Sequence, residues 1–157
     1  MRNVNMYIET EYKGTLSNGS GSWHVILEEI YEKNGKEIPL TLKDYAICED
    51  ITRNRLELMA IVKGLEHMNI QATINVYTKS DYVHSAFVNG WIDNWIRNNF
   101  KSKGKEIKHS DLWKKMAKFL NGNDIRIIKV KEKTQYSRCQ EIEMKKLWEE
   151  RNTDEKV

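Results

Sequence analysis

Between Arg97 and Lys133 the chain carries twelve Lys/Arg against four Asp/Glu, and Trp91, Trp95, Phe100 and Trp113 lie beside or among these cations. A charge run by itself describes a solvated helix face. Cations clustered next to aromatic rings describe a surface that can track phosphates, which is the chemistry of nucleic-acid binding. Trp residues at helical spacing can also be part of a core, so the rings alone leave both readings open.

The elements that would carry such a surface can be read along the chain. At 157 residues, 39% hydrophobic and with five Trp, the chain has the size and apolar content of one self-folding domain. The net charge of +3 is mildly basic. Cys48 and Cys139 form neither a disulfide framework nor a metal-type spacing. No secretory or membrane-spanning pattern is present, so a soluble, cytoplasmic protein with no membrane partner is expected.

Val4 to Tyr12 alternates like a strand, Leu16 to Ser22 is a polar, Gly-rich turn, and Trp23–Glu32 and Glu37–Cys48 form a hairpin through Asn34-Gly35. Pro39 suits an edge strand. Leu58, Ile61, Leu65 and Met68 then recur at helical spacing in a helix that starts near Thr52. Ala72–Thr78 is a strand, Ser80-Asp81 opens a helix, and Trp91–Phe100 is a further helical piece. Ser102–Lys108 is a basic loop, Ser110 caps a helix to Leu120, Ile125–Lys131 is a last strand, and Ser137–Glu149 a last helix. The order predicts an α/β domain over residues 1–151, with a mixed five-stranded sheet flanked by helices and a short tail at 152–157.

Three stretches resemble the type 1 ribonuclease H family, and together they span nearly the whole chain. Asn54-Arg55-Leu56-Glu57-Leu58-Met59-Ala60 is similar to that family's NRMELMA helix. Thr78-Lys79-Ser80-Asp81-Tyr82-Val83 stands where its TDSQYV follows a strand. Trp91-Ile92-Asp93-Asn94-Trp95, the basic run, and Ser110-Asp111-Leu112-Trp113 resemble its basic protrusion between two helices. The resemblance implies the RNase H-like fold and an activity on RNA/DNA hybrids, in which four carboxylates hold two divalent ions.

The resemblance places those four carboxylates on Glu11, Glu57, Lys79 and Gln140. Glu11 is a methylene longer than the family's Asp, and catalytic geometry tolerates misplacement poorly. Lys79 and Gln140 replace acids outright. Glu11 and Glu57 set against Lys79 leave a net of minus one, and an ammonium among carboxylates repels a metal. Lys79 is therefore expected to stand in the metal's place, paired with Glu57 or Glu11, and no metal cofactor is expected. If a relocated site holds Mg²⁺ or Mn²⁺, its ligands would be Glu11, Glu57, Asp81 and Glu141, with Glu143 on nearly the same helix face as Gln140. Glu9 shares a strand face with Glu11 and reads as a solvated acid.

The resemblance also places hybrid-contacting groups on Thr52, Arg53, Asn54, Trp91, Trp95, Lys101, Lys103 and Lys105, although Thr52 and Asn54 equally suit helix capping. Two features depart from the family: the turn Asn18–Ser22 lacks its prolines, and the segment Lys131–Tyr136 is short and has no His. The sequence thus points to an RNase H-like module that binds a hybrid or double-stranded nucleic acid and is catalytically inactive. An active hybrid endonuclease with relocated carboxylates and a protein-interaction module are the alternatives. No protein partner can be named.

Overall fold

Period-two alternation shapes the first third of the chain. In β1 (Arg2–Gly14) Val4, Met6 and Ile8 turn to one face and join the apolar core, while Tyr7 and Glu9 turn to the other. β2 (Gly19–Lys33) and β3 (Lys36–Ile51) follow as a long antiparallel hairpin. Its turn places Asn34 at φ 53° and Gly35 at φ 75°, the positive pair that a type I′ connection needs.

The computed structural model describes residues 2–155. After the meander come α1 (Arg53–Leu65), β4 (Ala72–Thr78), α2 (Asp81–Val88), α3 (Trp91–Arg97), the short pair β5 (Lys101–Ser102) and β6 (Lys105–Glu106), α4 (Ser110–Leu120), β7 (Asp124–Lys129) and α5 (Ser137–Glu155). The main sheet runs β3-β2-β1-β4-β7, antiparallel in its first three strands and parallel from β1 through β4 to β7. It is the mixed five-stranded sheet expected, with Pro39 on the edge strand. α1 and α4 cover one face, where Leu58, Ile61, Leu65, Trp113 and Met116 are buried. α5 covers the other. Among the described residues no helix is long and apolar enough to cross a membrane.

Several boundaries differ from the sequence reading; β2 already starts at Gly19 within the expected turn, β3 runs on to Ile51, and the last strand ends at Lys129. The helix at Trp91 stops at Arg97, because Asn99 and Phe100 take left-handed φ of 55° and 58°. The expected basic loop 102–108 contains the β5–β6 hairpin, turned by Lys103 and Gly104 at positive φ. Ser110 is the first residue of α4 rather than its cap, and its hydroxyl bonds Glu106 at 2.7 Å. α5 continues past Arg151 to Glu155, through residues expected to be a tail.

Close approach fixes where α1 sits. A β-carbon at Gly21 would lie 2.7 Å from the Glu11 carbonyl oxygen and against the Leu56 side chain. The first of these is backbone and cannot step aside. Gly21→Ala is expected to cost about 1–3 kcal/mol by overpacking, read as a lower midpoint in chemical denaturation.

Candidate functional site

Glu9 and Lys79 meet where β4 ends beside the longer β1. These strands pair in parallel with Tyr7 beside Tyr77, so Glu9 emerges level with Lys79. The Lys79 ammonium lies 3.0 Å from Glu9 Oε1 and 3.1 Å from Oε2. Ser137, the first residue of α5, donates to Glu9 Oε1 at 2.7 Å. The Glu9 side chain is 6% exposed and that of Lys79 is 44% exposed. The pair therefore spans the boundary between the sheet and solvent.

This corrects two expectations. Lys79 pairs with neither Glu57 nor Glu11, and Glu9 is no solvated acid. Glu11 lies two residues beyond Glu9, where β4 has already ended at Thr78; it is 47% exposed, 4.0 Å from Lys13. The resemblance places the family's first acid on Glu11, and strand parity does not separate it from Glu9 because both share a face. The β1–β4 register decides between them.

Glu57 projects from α1 toward the turn after β4. Burial pushes its carboxyl up, opposed by the Ser80 hydroxyl and by Arg53, while nearby Asp81 adds to the rise. Ser80 caps α2 by accepting the Val83 N–H at 3.1 Å. Glu57 projects from α1 and Glu9 turns toward α5 on the other side of the sheet, and among the described residues no ion pair or hydrogen bond joins them.

Gln140 does not reach the Glu9–Lys79 pair. It is wholly buried, and its amide nitrogen donates to the Tyr7 carbonyl at 3.0 Å and lies 3.2 Å from His24 Nδ1 and 3.3 Å from the His24 carbonyl. Two backbone carbonyls accept at this slot, so it suits an amide donor and disfavours a carboxylate. His24 stacks on Tyr45, and burial holds its imidazole below the ordinary histidine range. With Nδ1 facing the Gln140 amide, the neutral ring carries its proton on Nε2. That nitrogen lies 3.4 Å from Glu143 without a well-aligned hydrogen bond.

The acids considered as replacement ligands are dispersed. Asp81 pairs with Lys129, which holds its carboxyl below the usual range. Glu141 pairs with Lys133 at 3.1 Å, and Glu143 with Lys43 at 2.8 Å. Among the described residues no three His, Cys, Asp or Glu side chains gather as a metal-holding group. Two hard dications need converging oxygen ligands and an excess of negative charge. The residues present supply one buried carboxylate neutralised by an ammonium, and one half-buried carboxylate apart from it. They do not fit such a pair of ions.

A second arrangement lies at the N-terminus of α1. Thr52 caps it, accepting the Arg55 N–H at 3.3 Å. Arg53 lies over the Tyr12 ring, 5.3 Å from its centroid. Thr52, Arg53, Asn54, Tyr12, Lys108 and His109 line a groove of about 390 Å³. Behind it Arg55 grips Asp111 through two bonds of 3.0 and 2.6 Å, holding that carboxyl at about 2 and tying α4 to α1. The role of Arg55, and that of His109 with its left-handed φ of 61°, escaped the sequence reading.

The basic protrusion stands beyond α3. Lys101, Lys103 and Lys105 are all exposed on the β5–β6 hairpin, whose one acid, Glu106, is held by Ser110 and by Lys114 at 2.9 Å. Trp95 packs on the buried Trp113 with centroids 5.0 Å apart and so belongs partly to the core. Trp91 tilts against Trp95 at 6.3 Å and is 41% exposed, leaving ring surface beside the cations.

A sequence model of the family described as RNase H matches residues 4–137. The ribonuclease H of Caldanaerobacter subterraneus subsp. tengcongensis is 35% identical over 134 residues, 83% of this chain and 82% of that protein. That of Caldicellulosiruptor saccharolyticus is 39% identical over 114 residues, 72% of this chain and 73% of its own. Among solved structures, LC9-RNase H1, described as a type 1 RNase H with the type 2 active-site motif, matches with a TM-score of 0.71 at 17% identity over 90% of this chain and 69% of its own. A foamy viral protease-reverse transcriptase in complex with RNA/DNA hybrid matches at 0.68 and 19% identity, over 90% of this chain and 19% of that one. At such identities the structural matches establish the fold alone.

The site yields two expectations. Lys79→Met strands the Glu9 carboxylate; because the ammonium is partly solvated, the cost is about 1–2 kcal/mol, and adding Glu9→Gln should recover most of it in a double-mutant cycle. Glu57, raised in the folded state, binds its proton more tightly there than in the unfolded chain, so its stabilising contribution is full at acid pH and is lost as pH rises through the folded value. Glu57→Gln is therefore expected to unfold at a higher temperature than the parent at neutral pH, and that advantage should shrink on acidification.

Proposed function

The chain belongs to the ribonuclease H family, and from that premise we propose that it is a nucleic-acid-binding member that grips RNA/DNA hybrid or similar duplexes without hydrolysing them. The observation that carries this reading is the Glu9–Lys79 ion pair, an ammonium held where the resemblance calls for an acidic metal ligand. Gln140 adds to it, because its slot is lined by acceptors.

The binding half of the reading rests on three groups of residues. Thr52, Arg53 and Asn54 border a groove at a helix N-terminus, where backbone N–H groups and the helix dipole favour phosphate. Lys101, Lys103 and Lys105 offer cations on a hairpin that projects from the body. Trp91 offers an exposed ring, while Trp95 chiefly supports it from the core side. Two of the solved structures with this fold are described as complexes with RNA/DNA hybrid. No metal cofactor is part of the reading. The free thiols of Cys48 and Cys139 accord with a reducing cytoplasm.

Fluorescence anisotropy on a labelled hybrid, followed on a denaturing gel in Mg²⁺ and in Mn²⁺, tests both halves. Binding should weaken steeply with salt as counterions are released, and Lys101→Glu and Lys105→Glu should each weaken it by about tenfold with no cleavage in either metal. Cleavage that vanishes in Glu57→Gln would overturn the non-catalytic half and direct attention to Glu57 with Asp81. Affinity that is absent or indifferent to salt would leave a protein-interaction module.

A further inference from the structure

A row of exposed apolar side chains lies along the β2–β3 hairpin, away from Thr52. Ile38 is 41%, Leu40 57% and Leu42 47% exposed, all on one face of β3. β3 is an edge strand of 16 residues, and among the described residues no strand pairs with its outer side. A long edge with a row of large apolar side chains is a template for another strand.

The backbone fixes which residues present their hydrogen-bonding groups outward. β3 pairs with β2 without interruption from Lys36 to Cys48. Lys33 and Lys36 flank the two-residue turn as a hydrogen-bonded pair, so the even-numbered residues of β3 bond to β2, and the Tyr45 N–H turns to the Asp44 side chain at 2.9 Å. Pro39, of the same parity, has no N–H to give. The odd-numbered residues therefore face outward, and any strand added here bonds to Glu37, Pro39, Thr41 and Lys43.

We propose that this edge is a homodimer interface, in which β3 of one copy pairs antiparallel with β3 of a second about a two-fold axis at Leu40. The occupant follows from charge and parity. In a symmetric pair, outward-facing residues must meet outward-facing residues, which confines the axis to single residues. With the axis at Leu40, Lys36 meets the second copy's Asp44, Glu37 meets its Lys43, Ile38 meets its Leu42, and Leu40 meets its own counterpart. Opposite charges or apolar side chains are matched in these four pairs, as cross-strand pairs require. Moving the axis to Thr41 sets Ile38 against Asp44, and moving it to Leu42 sets Leu40 against Asp44.

Glu37 and Lys43 exchange both backbone bonds, and Thr41 donates to the Pro39 carbonyl. Only the missing Pro39 N–H is forfeited. Lys43 already meets Glu143, and Asp44 meets His67 at 2.9 Å, so both are held in place before pairing. Leu40 lies in a non-hydrogen-bonded pair, where side chains approach most closely. The dimer joins two five-stranded sheets into one and leaves the groove at Thr52 free in each copy.

Sedimentation equilibrium of the full chain across the micromolar to millimolar range tests this, with circular dichroism to check that each variant is folded. The parent should show a reversible monomer–dimer equilibrium. Leu40→Lys places two ammonium groups against each other and should weaken association by at least about tenfold. Glu37→Lys and Lys43→Glu should each weaken it, and the two together should restore it. A parent that stays monomeric throughout, a Leu40→Lys protein that associates as the parent does, or a charge exchange that fails to restore association would each overturn the proposal.

Discussion

β1 and β4 lie parallel in the middle of the sheet, and β4 ends level with Ile8 of the longer β1, so Glu9 and Lys79 leave the two strands into one half-buried space. A carboxylate there, 6% exposed, must find a partner, because burying an unpaired charge costs several kcal/mol. Here Glu9 finds Lys79 from the neighbouring strand and the Ser137 hydroxyl from α5. The same three groups join the two central strands to the last helix. Where a family member needs uncompensated negative charge to draw in divalent ions, this chain has compensated it internally.

The face under α5 follows the same logic. It is polar for a core-facing surface: Asn5, Tyr7, Glu9, His24 and Glu28 all turn toward α5 or the segment before it. Gln140 supplies N–H groups to the Tyr7 and His24 carbonyls, Gln135 donates to the Tyr7 hydroxyl, and the Tyr136 hydroxyl meets Glu28. Such groups stabilise only when nearly all are satisfied. Gln140 Oε1 and His24 Nε2 are the exceptions among the described residues. An acid at position 140 would face acceptors instead of donors, so the changes at 79 and 140 suit one electrostatic environment.

Much of the fold was legible in local pattern. Alternation located the meander, Asn34-Gly35 its turn, and helical periodicity α1, because each depends on neighbours within a few residues. The segment Asn54–Ala60 and the basic protrusion carried the family likeness, since their residue types are distinctive. What escaped depends on distant pairing. Glu9 and Glu11 are equivalent by strand parity, and only the β1–β4 register makes one buried and the other solvated. The inward turn of Gln140 depends on the rotation of α5 over β1 and β2. The β5–β6 hairpin depends on Lys103 adopting positive φ, for which lysine is an unusual choice.

The central claim is that the Glu9–Lys79 pair fills the place of a divalent ion. Thermal unfolding in rising Mn²⁺, matched at each step to an NaCl control of equal ionic strength, tests it directly, since an ion that binds only the folded chain must raise its stability with concentration. The account predicts that the two series coincide in the parent. A saturable rise in unfolding temperature with Mn²⁺ alone, abolished by Glu9→Gln or Glu57→Gln, would contradict it.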